Sequence, residues 1–162
     1  MIKKREAKQR AKFFAEYLFN FKTIPQIELV SNKGMEGILK EWAQDHQVFE
    51  RRSSPVSGLC MHADEGTSEV DDCTIYINTT LCKTVDQFNS TLIHELLHYV
   101  LWWQGYDSDD GEQEFESRLR ALGLSSNYDV VYEGKKRSKK PCDVSKLAEY
   151  EEAFQESVTT NS

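Results

Sequence analysis

The stretch that decides the fold is STLIHELLHYVLWWQGYDSDDG, residues 90–111. Apolar residues lie on nearly every side of its first half, which is typical of a helix that is mostly buried. Thr84, followed three residues later by Gln87, forms a capping box before it, and Gly105 can adopt the left-handed conformation after its last turn. The sequence therefore predicts one long buried helix that ends at about Gln104.

This helix carries the pattern His-Glu-x-x-His, with His94, Glu95 and His98. Residues four apart on a helix lie on one face, so the two imidazoles can converge on one ion. Zinc is the expected ion, because it binds neutral imidazoles and leaves one position of a four-coordinate site for water. Glu95 is the expected general base, which takes a proton from the metal-bound water during attack on a carbonyl.

A third protein ligand is normally needed, and the chain has no histidine after His98. The alternatives are a carboxylate of the acidic turn that follows the helix, the more distant His62, and the absence of a third protein ligand. The acidic residues of this segment are Asp107, Asp109, Asp110, Glu112, Glu114 and Glu116. Any of them can instead be a solvated charge near the start of the next helix.

Shorter elements are predicted on both sides of this helix. Apolar spacing predicts helices over residues 3–22 and 35–49, and EFESRLRALG predicts another that stops at Gly123. The segments QIELV, GLCMH, CTIYIN and NYDVVYEG have the composition of strands. The first helix has a basic face that we expect to be solvated, formed by Lys3, Lys4, Arg5, Lys8, Arg10 and Lys12.

The composition changes near residue 134. Residues 134–162 are basic and then acidic, which predicts a tail that is partly disordered or forms one short helix. The basic run is the best candidate in the chain for a weak DNA contact, although a solvated linker explains it equally well. Its charged residues are Lys135, Lys136, Arg137, Lys139 and Lys140.

The overall charge and the cysteines narrow the class of protein. The formal net charge of -7 argues against a general binder of nucleic acid or of membrane surfaces. No window is long and apolar enough to span a bilayer, and no secretory signal is recognisable, so we expect a soluble, cytoplasmic protein. The four scattered cysteines are expected to be reduced, small buried residues rather than a second metal site.

The segment HELLHYVLWWQGYDSDDGEQEFESRLRALG, residues 94–123, resembles the core of SprT-like zinc metallopeptidases. That family combines an H-E-x-x-H helix, a turn, a ligand histidine followed by glycine, and a phenylalanine that opens the next helix. A strand such as TIYIN also precedes the metal helix in that family. The resemblance covers roughly residues 56–124.

Carried over to this chain, the resemblance implies that His94 and His98 are zinc ligands and that Glu95 is the general base. Asp110, which lies before Gly111, takes the place of the family's third histidine. Aspartate can bind zinc, so the resemblance implies Asp110 as the third ligand. The remaining alternatives are Glu112 and Glu114.

The resemblance also implies an α+β, zincin-like fold, in which a small, mostly antiparallel sheet packs on the buried H-E-x-x-H helix and on further helices. Residues 1–133 would form this single domain. Family members often have a C-terminal four-cysteine zinc ribbon, whereas this chain has only Cys142 beside its basic run. In this trimmed form the chain is similar to small phage or prophage versions of the domain.

The implied activity is zinc-dependent hydrolysis of peptide bonds in a protein substrate, and some relatives act on DNA-bound proteins. The substrate is expected to lie along the sheet edge beside CTIYIN, as an added strand. An alternative from another class is a catalytically weak or inactive, zinc-stabilised binding or regulatory protein that acts on a host protein or nucleic acid. A related enzyme alternative is a metallopeptidase that cleaves a repressor of a mobile element.

Overall fold

The computed structural model describes residues 1–45, 55–62, 73–129 and 136–160 as five helices and five strands. The helices are α1 (Lys4–Phe19), α2 (Asn32–Asp45), α3 (Val85–Trp103), α4 (Gln113–Ala121) and α5 (Val144–Thr160). The strands are β1 (Gln26–Val30), β2 (Gly58–His62), β3 (Cys73–Asn78), β4 (Ser126–Asp129) and β5 (Lys136–Lys140). This combination of helices and strands confirms the predicted α+β fold class. Among the described residues, no helix has the length and apolar content needed to cross a membrane.

Strands β1, β3 and β2 form one sheet in that order. Strand β1 runs parallel to β3, whereas β2 runs antiparallel to it. Strands β4 and β5 form a separate antiparallel pair. The main sheet is therefore mixed, because the chain passes through α2 and β2 before it returns to pair β3 with β1.

Helix α3 lies at the centre of the core, as predicted. Its capping box is present: the Gln87 N–H donates to Thr84 Oγ1 at 3.1 Å, and the Thr84 N–H donates to Gln87 Oε1 at 3.1 Å. Gly105 follows the helix with a φ of +82°. Burying one large apolar side chain contributes about 1.5–3 kcal/mol, so the apolar residues of α3 fix its position. Those with 0% exposure are Leu92, Ile93, Leu96, Leu97, Tyr99, Val100 and Leu101.

Strand β2 approaches α3 so closely that its first residue must be glycine. A Cβ atom on Gly58 would lie 2.5 Å from Thr91 Cγ2 and 3.1 Å from Glu95 Cγ. The segment before β2 is also fixed, because the Asn78 N–H donates to the Ser57 carbonyl at 2.8 Å and Asn78 Nδ2 donates to the Val56 carbonyl at 3.1 Å. The start of β2 is therefore held directly beside Glu95.

The C-terminal residues contribute more to the core than a tail with one short helix would. Helix α5 has 17 residues, and Leu147, Tyr150 and Phe154 belong to the same apolar cluster as α1 and α3. Their spacing of three and four residues places them on one face of the helix. The composition of this segment did not indicate a packed helix, because polar residues outnumber these three apolar residues. The predicted domain boundary at residue 133 stays a prediction.

The basic run is partly a strand rather than a linker. Residues 136–140 form β5, which pairs with β4, and Lys140 is exposed. Lys135, His46 and the acidic connector over residues 63–72 lie outside the described residues. Contact of this run with DNA stays a prediction.

The expectation that the basic face of α1 is solvated is wrong for Arg10, which is 2% exposed. Its guanidinium donates to Asn89 Oδ1 at 3.0 Å and to both carboxylate oxygens of Glu151, and it lies 4.3 Å above the centre of the Phe154 ring. Glu6 accepts a further hydrogen bond from it at 3.0 Å. Arg10 therefore joins α1, α3 and α5. The partners of its charged group, Asn89 and Glu151, lie far from it in the sequence.

Replacing Arg10 with alanine should lower the free energy of unfolding by about 2–4 kcal/mol, because Asn89 and Glu151 lose their partner in a largely buried place. Arg5→Ala, at an exposed position of the same helix, is the matched control and should change it by less than about 0.5 kcal/mol. Urea denaturation measures both values. Equal effects of the two substitutions would show that Arg10 does not join the helices.

Replacing Gly58 with alanine should lower the free energy of unfolding by about 1–3 kcal/mol, because the new methyl group overlaps Thr91. Gly37→Ala in α2 is the control, since no atom lies within 4 Å of its added Cβ. That change should be neutral or stabilise the protein by up to about 1 kcal/mol. Comparable destabilisation by both substitutions would contradict the close approach of β2 to α3.

Candidate metal centre

Helix α3 brings His94 and His98 together on the face that points away from the apolar core. The centres of the two imidazole rings are 5.0 Å apart, as expected for residues one helical turn apart. Both rings are partly exposed, with 29% and 14% of the respective side chains accessible. The two histidines thus present their nitrogens to the same point at the surface of the core.

The turn after α3 carries Asp110 back over these histidines. Gly105 and Gly111 both have positive φ, at +82° and +87°, a backbone conformation that glycine adopts without strain. Asp110 Oδ1 then lies 3.3 Å from His94 Nε2 and 3.3 Å from His98 Nε2. Three donor atoms from two separate segments therefore meet at one place.

Glu116 holds this turn in position. It is 2% exposed, and its two carboxylate oxygens have different partners. The Gly111 N–H donates to Oε1 at 2.9 Å, and the Ser126 hydroxyl donates to Oε2 at 2.7 Å. Because Gly111 follows Asp110 directly, this buried carboxylate fixes the residue that faces the histidines.

The His98 ring is oriented by two further contacts. Phe115 stacks on it with ring centres 4.0 Å apart and an interplanar angle of 13°. His98 Nδ1 is hydrogen-bonded to the Ser108 carbonyl. A carbonyl only accepts, so Nδ1 carries a proton and Nε2 is the nitrogen that faces Asp110, an arrangement common for imidazoles that bind metals.

Glu95 and Asp110 have pKa shifts in opposite directions. Burial raises the pKa of Glu95, against the opposing charges of His94 and His98. Burial acts in the same upward sense on Asp110, but hydrogen bonds with both histidines hold the pKa of its carboxyl well below the usual range. Two neighbouring carboxyl groups whose pKa values shift in opposite directions are a recurring arrangement in hydrolytic sites.

The other sequence candidates lie in different surroundings. Glu114 is paired with Arg118, whose Nε donates to Glu114 Oε1 at 2.9 Å, and Glu112 is the N-cap residue of α4. His62 belongs to a different group, with Cys60 on β2 and Cys73 on β3. His94, Glu95 and His98 form a group whose donor atoms lie within 4.8 Å of one another and can hold a metal ion.

Two cavities border this centre, and Glu95 lines both of them. One has a volume of about 340 Å³ and is lined by polar residues that include Ser57, Ser90 and Thr91. The other has a volume of about 510 Å³ and extends along β2 past Leu59. Gly58, Glu95 and Asp110 border both cavities. A groove therefore runs past the donor atoms beside the start of β2.

Sequence comparison agrees with this arrangement. The model of the SprT-like family matches residues 23–132, which is more than half of the chain and includes both histidines, Glu95 and the acidic turn. Neither a curated protein nor a solved structure matches the chain. With its buried H-E-x-x-H helix and a donor group that can hold a metal ion, the chain belongs to the SprT-like family.

Proposed function

We propose that this protein is a zinc-dependent peptidase, in which His94, His98 and Asp110 hold the ion and Glu95 is the general base. The observation that carries the proposal is the position of Asp110, whose carboxylate oxygen lies 3.3 Å from both histidine nitrogens. The resemblance to the family implies that Asp110 takes the place of the third histidine. Family membership supports the same class of chemistry.

The separations of these donor atoms fit zinc. Imidazole nitrogens and carboxylate oxygens bind zinc at about 2.0–2.1 Å, so two such ligands of a tetrahedral ion lie about 3.3 Å apart. The Asp110 oxygen meets this condition with each histidine. His94, His98 and Asp110 would hold the ion, and zinc bound by them would lower the pKa of the attacking water and polarise the scissile carbonyl.

Glu95 is placed to move the proton. Its Oε1 lies 4.0 Å from His94 Nε2, beside the donor atoms but on the side that faces β2. Its side chain is 8% exposed, so its carboxyl group is largely shielded from solvent. We propose that it takes the proton of the attacking water and returns it to the leaving amine.

The substrate is proposed to be an extended polypeptide segment that pairs with β2. The expectation of pairing beside CTIYIN is wrong, because that segment is β3, which is bonded to β1 on one side and to β2 on the other. Among the described strands, β2 forms the edge of the sheet that borders both cavities. An added strand there places its backbone next to Glu95.

Replacing Glu95 with glutamine should leave zinc bound and reduce cleavage of an unfolded protein substrate by about 10²–10⁴-fold, because the amide cannot accept the proton. Glu114→Gln is the matched control on the neighbouring helix and should retain cleavage. Zinc content and cleavage are measured on the same samples, with and without DNA. Wild-type cleavage by the Glu95→Gln protein would exclude the proposed mechanism, and no cleavage by the wild-type protein would favour the zinc-stabilised binding protein.

Replacing Asp110 with alanine should weaken zinc binding at the H-E-x-x-H centre by more than about 100-fold, since outer-sphere partners alone contribute 10–100-fold. Asp109→Ala, at the neighbouring exposed position, is the control and should bind zinc normally. Competition with a chelator of known affinity gives both constants. Normal binding by Asp110→Ala together with loss of binding by Glu112→Ala or Glu114→Ala would reassign the third ligand.

A further inference from the structure

A second group of donor atoms lies on the sheet, apart from the H-E-x-x-H centre. In the β2–β3 pair, His62 is directly opposite Cys73, and Cys60 lies two residues before His62 on the same face. Cys60 Sγ is 3.6 Å from Cys73 Sγ and 3.8 Å from His62 Nε2. The donor atoms of all three residues lie within 4.8 Å of one another.

These separations match those of ligands around one tetrahedral zinc-type ion. Sulfur ligands at about 2.3 Å from such an ion lie about 3.8 Å apart, and a sulfur and an imidazole nitrogen lie about 3.6 Å apart. A disulfide requires a sulfur separation of about 2.05 Å, so the two thiols are separate here, and all four cysteines of the chain are free. The spacing therefore agrees with shared ligation rather than with a covalent bond.

The surroundings of His62 distinguish this group from ordinary packing. Its ring stacks on Trp102 with centres 4.3 Å apart. Its buried Nδ1 has no hydrogen-bond partner among the described residues, and Nε2 faces a thiol. The contact of Nε2 with a thiol is a weak hydrogen bond, whereas a metal ion bound at Nε2 would replace it with coordination shared by both thiols.

The two thiols of the group favour one class of ion. Thiolates are the sulfur form that coordinates metals, and sulfur ligands favour zinc and other thiophilic ions over magnesium or calcium.

We propose that Cys60, His62 and Cys73 form a second metal site for a thiophilic ion of the zinc class. The ion would join the edge strand β2 to β3. Cys60 and His62 border the same 510 Å³ cavity as Glu95 and His98, so the site lies beside the proposed substrate groove. The expectation that the cysteines are only small buried residues gives way here to a ligand role for two of them. The proposal stands on its own donor atoms and does not depend on peptidase activity.

Cobalt(II) tests this proposal on the full chain, freed of metal and kept reduced. Cobalt bound to thiolates absorbs in the near ultraviolet through sulfur-to-metal charge transfer, whereas the H-E-x-x-H centre offers nitrogen and oxygen ligands alone. We expect the protein to bind two equivalents of cobalt, and only one of the two bound ions should give the charge-transfer band. The His94→Ala/His98→Ala double variant should keep the band and bind one equivalent.

Cys73→Ser and Cys60→Ser should each remove the band while the other equivalent of cobalt stays bound. Cys142→Ser is the matched control, since that thiol instead donates to the Gly123 carbonyl at 3.3 Å, and it should keep the band. Circular dichroism verifies folding, and the half-buried Cys60 provides the test if Cys73→Ser does not fold. A reduced wild-type protein without the band, or a band that survives both substitutions, would overturn the proposal.

Discussion

The contact between the Asp110 carboxylate and the two imidazoles depends on a chain reversal that the rest of the structure supports. The histidines come from a buried helix, whereas Asp110 comes from an exposed turn after it. Buried Glu116 accepts a hydrogen bond from the Gly111 N–H in the turn. Gly105 and Gly111, both with positive φ, allow the shape of the turn. The site is therefore held by a rigid helix on one side and by a buried carboxylate on the other.

The edge strand β2 is also held in a defined position. Strand β2 reaches α3 only because Gly58 lacks a side chain, and Asn78 fixes the residues before it. An edge strand and two cavities therefore border Glu95. The far side of α3 is covered by α1 and α5, which Arg10 joins through Asn89 and Glu151. The helix that presents the donor atoms is thus fixed from both faces.

Local patterns predicted the elements that depend on local physics. The capping box of α3, its burial and the spacing of His94 and His98 follow from short-range rules, and the structure confirms the predicted helix. Because no histidine follows His98, the sequence indicates the acidic turn as a candidate source of the third donor, beside the more distant His62. The ligand role of Asp110 stays a proposal, although the structure brings it to the histidines.

Features that depend on distant parts of the chain could not be predicted in this way. Arg10 and Glu151 are 141 residues apart, so no window contains both. The sequence gives no sign that Cys60 and Cys73 share one face, because their meeting depends on the register between β2 and β3. In the sequence, Glu116 is one of several acidic residues after His98, and only its partners, Gly111 and Ser126, distinguish it.

The most direct test is an anomalous diffraction map, collected at the zinc absorption edge from crystals of the full chain grown with zinc. We expect a peak bonded to His94 Nε2, His98 Nε2 and an oxygen of Asp110, with Glu95 beside the remaining coordination position. A peak bonded to Glu112 or Glu114 in place of Asp110, or no peak between the two histidines, would contradict it.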